Sequence, residues 1–221
     1  MSPEPDSRAA TNELLDGLRK GRWRPPALVR FARLTTRRSI RQARRRPRAL
    51  GEVTVLHIAF LLFGNQHRPL WTATSWLLAA THLGMLEHRR SLGVANVITL
   101  TRANLPALAD GWAAPIVALA SDLADGRLAR RLGTESAFGS AADSLADAAY
   151  WAWFALRHEP SARVRAAALL AWVAPVVVVT TASVGRGRMV DAPRPVLVRP
   201  AALMQAAIAI RAVLRRRTTA K

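Results

Sequence analysis

The chain has 221 residues, 51% of them hydrophobic, yet 33 Lys and Arg stand against 14 Asp and Glu for a formal charge of +19. That pairing is foreign to an ordinary soluble domain and fits apolar helices in a bilayer with Arg-rich segments against an anionic lipid surface. No cysteine is present, which excludes a disulfide framework, a thiolate nucleophile and Cys-ligated zinc.

Residues 1–50 read as a basic cytoplasmic arm. Glu4, Asp6, Glu13 and Asp16 give its start the wrong charge for a signal peptide, and no apolar run follows. The chain is therefore expected to begin in the cytoplasm. Beyond Pro25-Pro26, Leu28, Phe31, Leu34 and Ile40 are scattered among nine arginines between positions 30 and 48. This pattern suits an amphipathic helix lying on the membrane, with a disordered basic tail as the alternative. Stacking aromatics are not interleaved with the arginines, which argues against a nucleic-acid partner.

Residues 51–217 hold the apolar segments. Residues 53–64 and 70–86 are separated by a loop at 65–69, and a charged turn follows at 87–93. Residues 94–109 form a helix-compatible run in which Asn96, Thr99 and Arg102 share one face, and Asp110-Gly111 breaks it. The segment 112–124 delivers Asp122 and Asp125 at its end, and a basic loop is expected at 127–134. Residues 138–156, 166–184 and 201–214 complete the series, the second of these being the clearest span. Periodicity is helical throughout. Only helices or closed barrels cross a bilayer, so the expected class is all-α, a polytopic transmembrane helix bundle of about six helices with a basic N-terminal cytoplasmic arm. Strict alternation places Arg215, Arg216 and Arg217 outside, against the positive-inside rule, so one apolar segment is expected not to cross.

Four carboxylates stand out against this background. Asp122 and Asp125 are three residues apart, Asp143 and Asp147 four apart, so each pair projects from one face of its own helix. A connection at 131–138 has the length that makes the two helices antiparallel neighbours, and the pairs converge. Convergent carboxylates without soft ligands suit a hard divalent cation, Mg²⁺ or Mn²⁺, and four are enough for two ions. Acids at a membrane are costly and mark a functional site by default. Gly126, Ala129 and Gly139 lack bulk beside these acids, which lets a ligand approach the backbone, and Arg130 offers a fork to a phosphate oxygen. The implied ligand is a diphosphate on something bulky.

The stretch D-x2-D-G-x2-A-R-x8-G-x3-D-x3-D, filled by Asp122, Asp125, Gly126, Ala129, Arg130, Gly139, Asp143 and Asp147, resembles the signature of the CDP-alcohol phosphatidyltransferase family. Asn96-x2-Thr99-x2-Arg102 is similar to a polar pattern at the start of the first helix in many members. The resemblance implies a six-helix membrane enzyme with its site facing the cytoplasm, and a homodimer is an expectation of the same resemblance. It implies transfer of a phosphatidyl group from CDP-diacylglycerol, or of an alcohol phosphate from another CDP-alcohol, to an acceptor hydroxyl with release of CMP. It further implies that Asp122, Asp125, Asp143 and Asp147 bind metal, that Asp147 is the general base, and that Gly126, Ala129, Arg130 and Gly139 form the CDP pocket. Arg186 and Arg188, in the loop 185–199, are candidates for holding an acceptor phosphate, against a plain topological role. Two features depart from the pattern: only nineteen residues separate Arg102 from Asp122, which demands a pinched hairpin, and Ala148 stands where many glycerol-phosphate-using members have Lys. The competing readings are a UbiA-type prenyltransferase and a non-catalytic basic membrane protein.

Overall fold

The computed structural model describes residues 7–64, 68–109, 111, 113–190 and 194–219. Among them are ten α-helices: α1 (Ser7–Lys20), α2 (Pro25–Arg44), α3 (Pro47–Phe63), α4 (Pro69–Thr81), α5 (Val94–Ala103), α6 (Leu105–Leu108), α7 (Ala114–Arg131), α8 (Ala137–His158), α9 (Ala162–Arg186) and α10 (Arg194–Thr219), with a 3₁₀ turn at Leu83–Leu86 after α4. Every described element is helical, as the periodicity demands. The loop expected at 65–69 and the break at Asp110-Gly111 fall partly outside the described residues, as do Glu4 and Asp6.

Proline writes several boundaries. Pro25, Pro47 and Pro69 open α2, α3 and α4, where a missing N–H costs nothing. Pro106 does the opposite in the run 94–109. It cannot donate to the Arg102 carbonyl and its ring crowds that turn, so the run splits at Asn104 into α5 and α6. Because α3 begins at Pro47, position 50 lies inside a helix.

The basic loop expected at 127–134 is a correction. Arg127, Leu128, Ala129 and Arg130 are good helix formers, and α7 carries them through Arg131. Arginines in the last turn also suit the helix dipole. The stop is Gly133, at φ +57°. Thr134 N–H donates to the Ala129 carbonyl at 2.8 Å and Gly133 N–H to the Arg130 carbonyl at 3.2 Å, the pairing of a Schellman cap. The turn to α8 is then short, and the Ser136 hydroxyl caps that helix by accepting from Gly139 N–H at 3.0 Å.

α5 is wedged between α7 and α8, which makes it the centre of the molecule. One core gathers Tyr150, Trp151 and Phe154 of α8 with Trp172 of α9 and Ile208 of α10. The other joins Ala49, Val53, Ala79 and Leu83 of the α3–α4 unit to Leu100 and Phe138. The arm is helical, and it packs on the bundle: α2 lies against α4, and α1 against the end of α9.

Among the described residues, Ala162–Arg186 is the one helix whose length and composition suffice to cross a membrane, and a shorter apolar stretch occupies Ala201–Ala212. The other expected spans are shorter, or, like α8 at 22 and α10 at 26 residues, long enough but too polar over part of their length. Their outer faces are nonetheless apolar: Phe63 is 84% and Leu70 81% exposed, and Val176, Val177 and Val178 face outward on α9. A belt of this kind is rare on a soluble monomer and marks contact with lipid or protein.

Candidate active site

The site forms where α7 ends, α8 begins and α5 passes between them. Asn96, Thr99 and Arg102 sit three apart on α5, and all three are buried. Arg102, only 1% exposed, lies at the centre of the four acids. Its Nη1 donates to Asp125 Oδ2 at 2.9 Å and its Nη2 donates to Asp143 Oδ1. Nε lies 3.0 Å from Asp147 Oδ1, and Nη2 lies 3.5 Å from Asp122 Oδ1. One guanidinium thus gathers all four carboxylates. Thr99 Oγ1 donates a further 2.6 Å hydrogen bond to Asp125 Oδ2, and Gln205 Nε2 of α10 donates to Asp147 Oδ2 at 3.1 Å.

The carboxylates are not equivalent. Asp125 is buried and turned toward Thr99 and Arg102. Asp122, Asp143 and Asp147 are half-buried, and each offers an oxygen within 4.8 Å of the others, spacing that a single cation can bridge. Asp147 Oδ1 is buried and accepts no hydrogen bond, its charge being met by Arg102 Nε at 3.0 Å. Four carboxylates against one guanidinium leave the cluster formally short of three positive charges. The donor set is all oxygen, so the residues fit a hard divalent ion.

The small residues have distinct reasons. A Cβ on Gly139 would come within 2.8 Å of Asn96 Oδ1. Asn96 cannot yield freely, because its Nδ2 donates to the Leu92 carbonyl at 2.6 Å. Gly139 therefore permits α5 and α8 to close, and the site depends on that closure. A Cβ on Gly126 would meet only the Arg130 guanidinium, Nη1 at 3.4 Å and Nη2 at 3.8 Å. There the space beside the acids is covered by the tip of an exposed arginine. Ala129, half-buried, lies on the same stretch of α7.

Arg186 and Arg188 are exposed at the end of α9. Their segment docks on α1: Arg19 Nη1 donates to the Arg186 carbonyl at 3.2 Å, and Met189 N–H donates to Asn12 Oδ1 at 2.7 Å. One participant was only partly legible in the sequence and another escaped it. Arg102 was legible only as part of a polar face, although an arginine inside an apolar helix is itself a signal of an acidic partner. Gln205, a lone amide in the apolar stretch of α10, carried the same kind of signal.

Fold and site together define an all-helical chain in which adjacent helices bring four carboxylates to one cationic centre. The sequence pattern of the CDP-alcohol phosphatidyltransferase family matches residues 92–216, and the chain belongs to that family. No curated protein and no solved structure matches the chain. The family is one of membrane-associated transferases of phospholipid biosynthesis that act on CDP-alcohols and typically use a divalent metal. The match ends the case for a UbiA-type prenyltransferase. It begins at residue 92, so α1 to α4 lie outside it.

Proposed function

We propose that this chain is an integral membrane enzyme that transfers a phosphatidyl or alcohol-phosphate group from a CDP-alcohol, CDP-diacylglycerol foremost, to an acceptor hydroxyl. The observation that carries this reading is the convergence of Asp122, Asp125, Asp143 and Asp147 on one centre, at the spacing the family shares. Residues 51–217 form the transferase domain, residues 1–50 its arm, and the site faces the cytoplasm.

Asp122, Asp125, Asp143 and Asp147 would hold two divalent ions, Mg²⁺ or Mn²⁺, which when bound would neutralise charge at the diphosphate. The protein supplies the rest. Asp147, with its side chain 22% exposed, is the base that takes the proton of the acceptor hydroxyl, and Gln205 fixes its orientation. The acceptor oxygen bonds to the phosphorus on the alcohol side of the diphosphate, the bond from that phosphorus to CMP breaks, and CMP leaves with the electron pair. Gly126, Ala129 and Arg130 bound the nucleotide pocket, with Arg130 pairing a phosphate oxygen, and Gly139 serves it by letting α5 and α8 close. Arg186 and Arg188 face the acceptor when it carries a phosphate.

The test is CMP release by purified protein with Mn²⁺, CDP-diacylglycerol and a panel of acceptors: glycerol 3-phosphate, inositol phosphate, inositol, serine and phosphatidylglycerol. Release with one acceptor supports the reading and names the product. No CMP with any acceptor, together with no metal-dependent nucleotide binding, leaves a non-catalytic membrane protein.

A further inference from the structure

A cavity of about 920 Å³ lies between α4 and α8, on the side of α8 opposite Asp143 and Asp147. It follows α8 from Ala137 to Ala149, about 18 Å at the rise of a helix. That is close to one leaflet of a hydrocarbon core about 30 Å thick. The α8 wall is shallow, built largely of alanines such as Ala141, Ala142 and Ala149, and Leu70 and Leu78 stand opposite on α4. Ser7, Arg8 and Thr11 of α1 line it beside Met189, which follows the end of α9 and donates its N–H to Asn12 Oδ1 of α1; α9 returns along α8 after a short turn, so the arm closes the slot at the Ala137 end.

The polar side chains of α4 along the slot are already satisfied elsewhere. Trp71 Nε1 donates to the Ala103 carbonyl at 2.8 Å, and Thr74 Oγ1 donates to the Leu70 carbonyl at 2.7 Å. Ser75 Oγ is shared between His57 Nε2 at 3.0 Å and Asn104 Nδ2 at 2.9 Å. His82 Nδ1 donates to the Leu78 carbonyl at 2.7 Å. Between its ends the slot thus presents mostly hydrocarbon, while Ser7, Arg8 and Thr11 of the arm, with His82 and Glu87, make one end polar. A single alkyl chain with a polar head at the arm matches this gradient, whereas a polar metabolite would find no partners inside.

We propose that this slot binds one acyl chain of a membrane phospholipid, apart from the diphosphate site, with the head group beneath α1. The inference rests on the reading of the chain as a membrane protein and is independent of its catalytic role. Because α4 and α1 precede the family region, the seat is an addition made by this chain's N-terminal helices.

The probe is phosphatidylcholine carrying a photoactivatable diazirine on one acyl chain, titrated into phosphatidylcholine–phosphatidylglycerol vesicles containing the full-length protein. Adducts are mapped by peptide mass spectrometry. A seated chain labels α4 and α8 with saturation at low probe fraction, while the outward valines of α9 label in proportion to probe. Ala141→Phe with Ala149→Phe fills the slot and lowers the α4 and α8 adducts at least tenfold without changing those on α9. Labelling of α4 and α8 that is no more saturable than that of α9 overturns the proposal in the unaltered protein, whether or not the filled variant folds. Absence of labelling on α9 as well overturns the membrane reading beneath it.

Discussion

Arg102 is the residue on which the site's charge balance turns. With its side chain fully buried against four carboxylates, it does the work of a cation. Removing one member of a buried ion network costs about 3–5 kcal/mol because the partners are left uncompensated. Arg102→Gln is therefore expected to lower Tm in detergent with EDTA by on the order of 10 °C. Mn²⁺ is expected to restore much of that loss and to stabilise the variant more than the wild type, because only the variant lacks an internal cation. Equal stabilisation of both would show that the acids do not form the metal site. Asp147→Asn tests a different role: turnover should vanish while metal-dependent nucleotide binding survives in part, and a fully active variant would remove Asp147 as the base. Gly126→Ala separates ligand from fold. The added methyl meets only a flexible arginine tip, and alanine is the better helix former by about 0.8–1.0 kcal/mol. Stability should hold or rise while affinity for a CDP-alcohol falls on the order of tenfold, a trade of stability against function; unchanged affinity would take Gly126 out of the nucleotide pocket.

At the scale of elements, the approach of α5 to α8 sets the geometry that those residues use. Gly139→Ala puts a methyl 2.8 Å from Asn96 Oδ1, beside an amide already committed to Leu92. Overpacking of this kind costs about 1–3 kcal/mol and outweighs the helix-propensity gain. Gly139→Ala should lose several degrees in Tm, and adding Asn96→Ala should recover part of that loss, a coupling that a double-mutant cycle measures. Independent effects of the two changes would deny the contact. The same elements show what the sequence could and could not reveal. The face of Asn96, Thr99 and Arg102 and the two acid pairs were readable because helical spacing alone places them. The path of α7 past Ala124 was missed because charge suggested a loop, while propensity and the cap at Gly133 decided the outcome. That Asp125 turns inward to Thr99, or that Gln205 reaches Asp147 across 58 positions, depends on how three helices lean together, and no local pattern records it.

Across the whole molecule, the +19 charge has to be distributed without leaving cations stranded at the wrong face. Alternation places the arginines of the C-terminal segment opposite the active site, where the charge rule disfavours them. Glu159, in the turn between α8 and α9, resolves part of that conflict. It is 1% exposed and accepts from Arg211 Nε and Nη2 at 3.0 Å each, from Arg215 Nη1 at 2.9 Å and from Ser161 N–H at 3.0 Å. The Arg211 hydrogen bonds foremost hold its carboxyl down from 4.5 to about 2. The folded state therefore favours the ionised form, so the contribution is complete above the ordinary glutamate range and is lost as pH falls through it toward 2. The clamp ties α10 to the α8–α9 turn, and α10 in turn carries Gln205 to Asp147, so the far face of the bundle helps to hold the near one. Glu159→Gln should lower Tm by a few degrees near neutral pH, and the gap to the wild type should narrow steadily as the pH is taken from about 6 to about 3. A gap that stays constant over that range would mean that packing of the side chain, and not its charge, is what anchors α10.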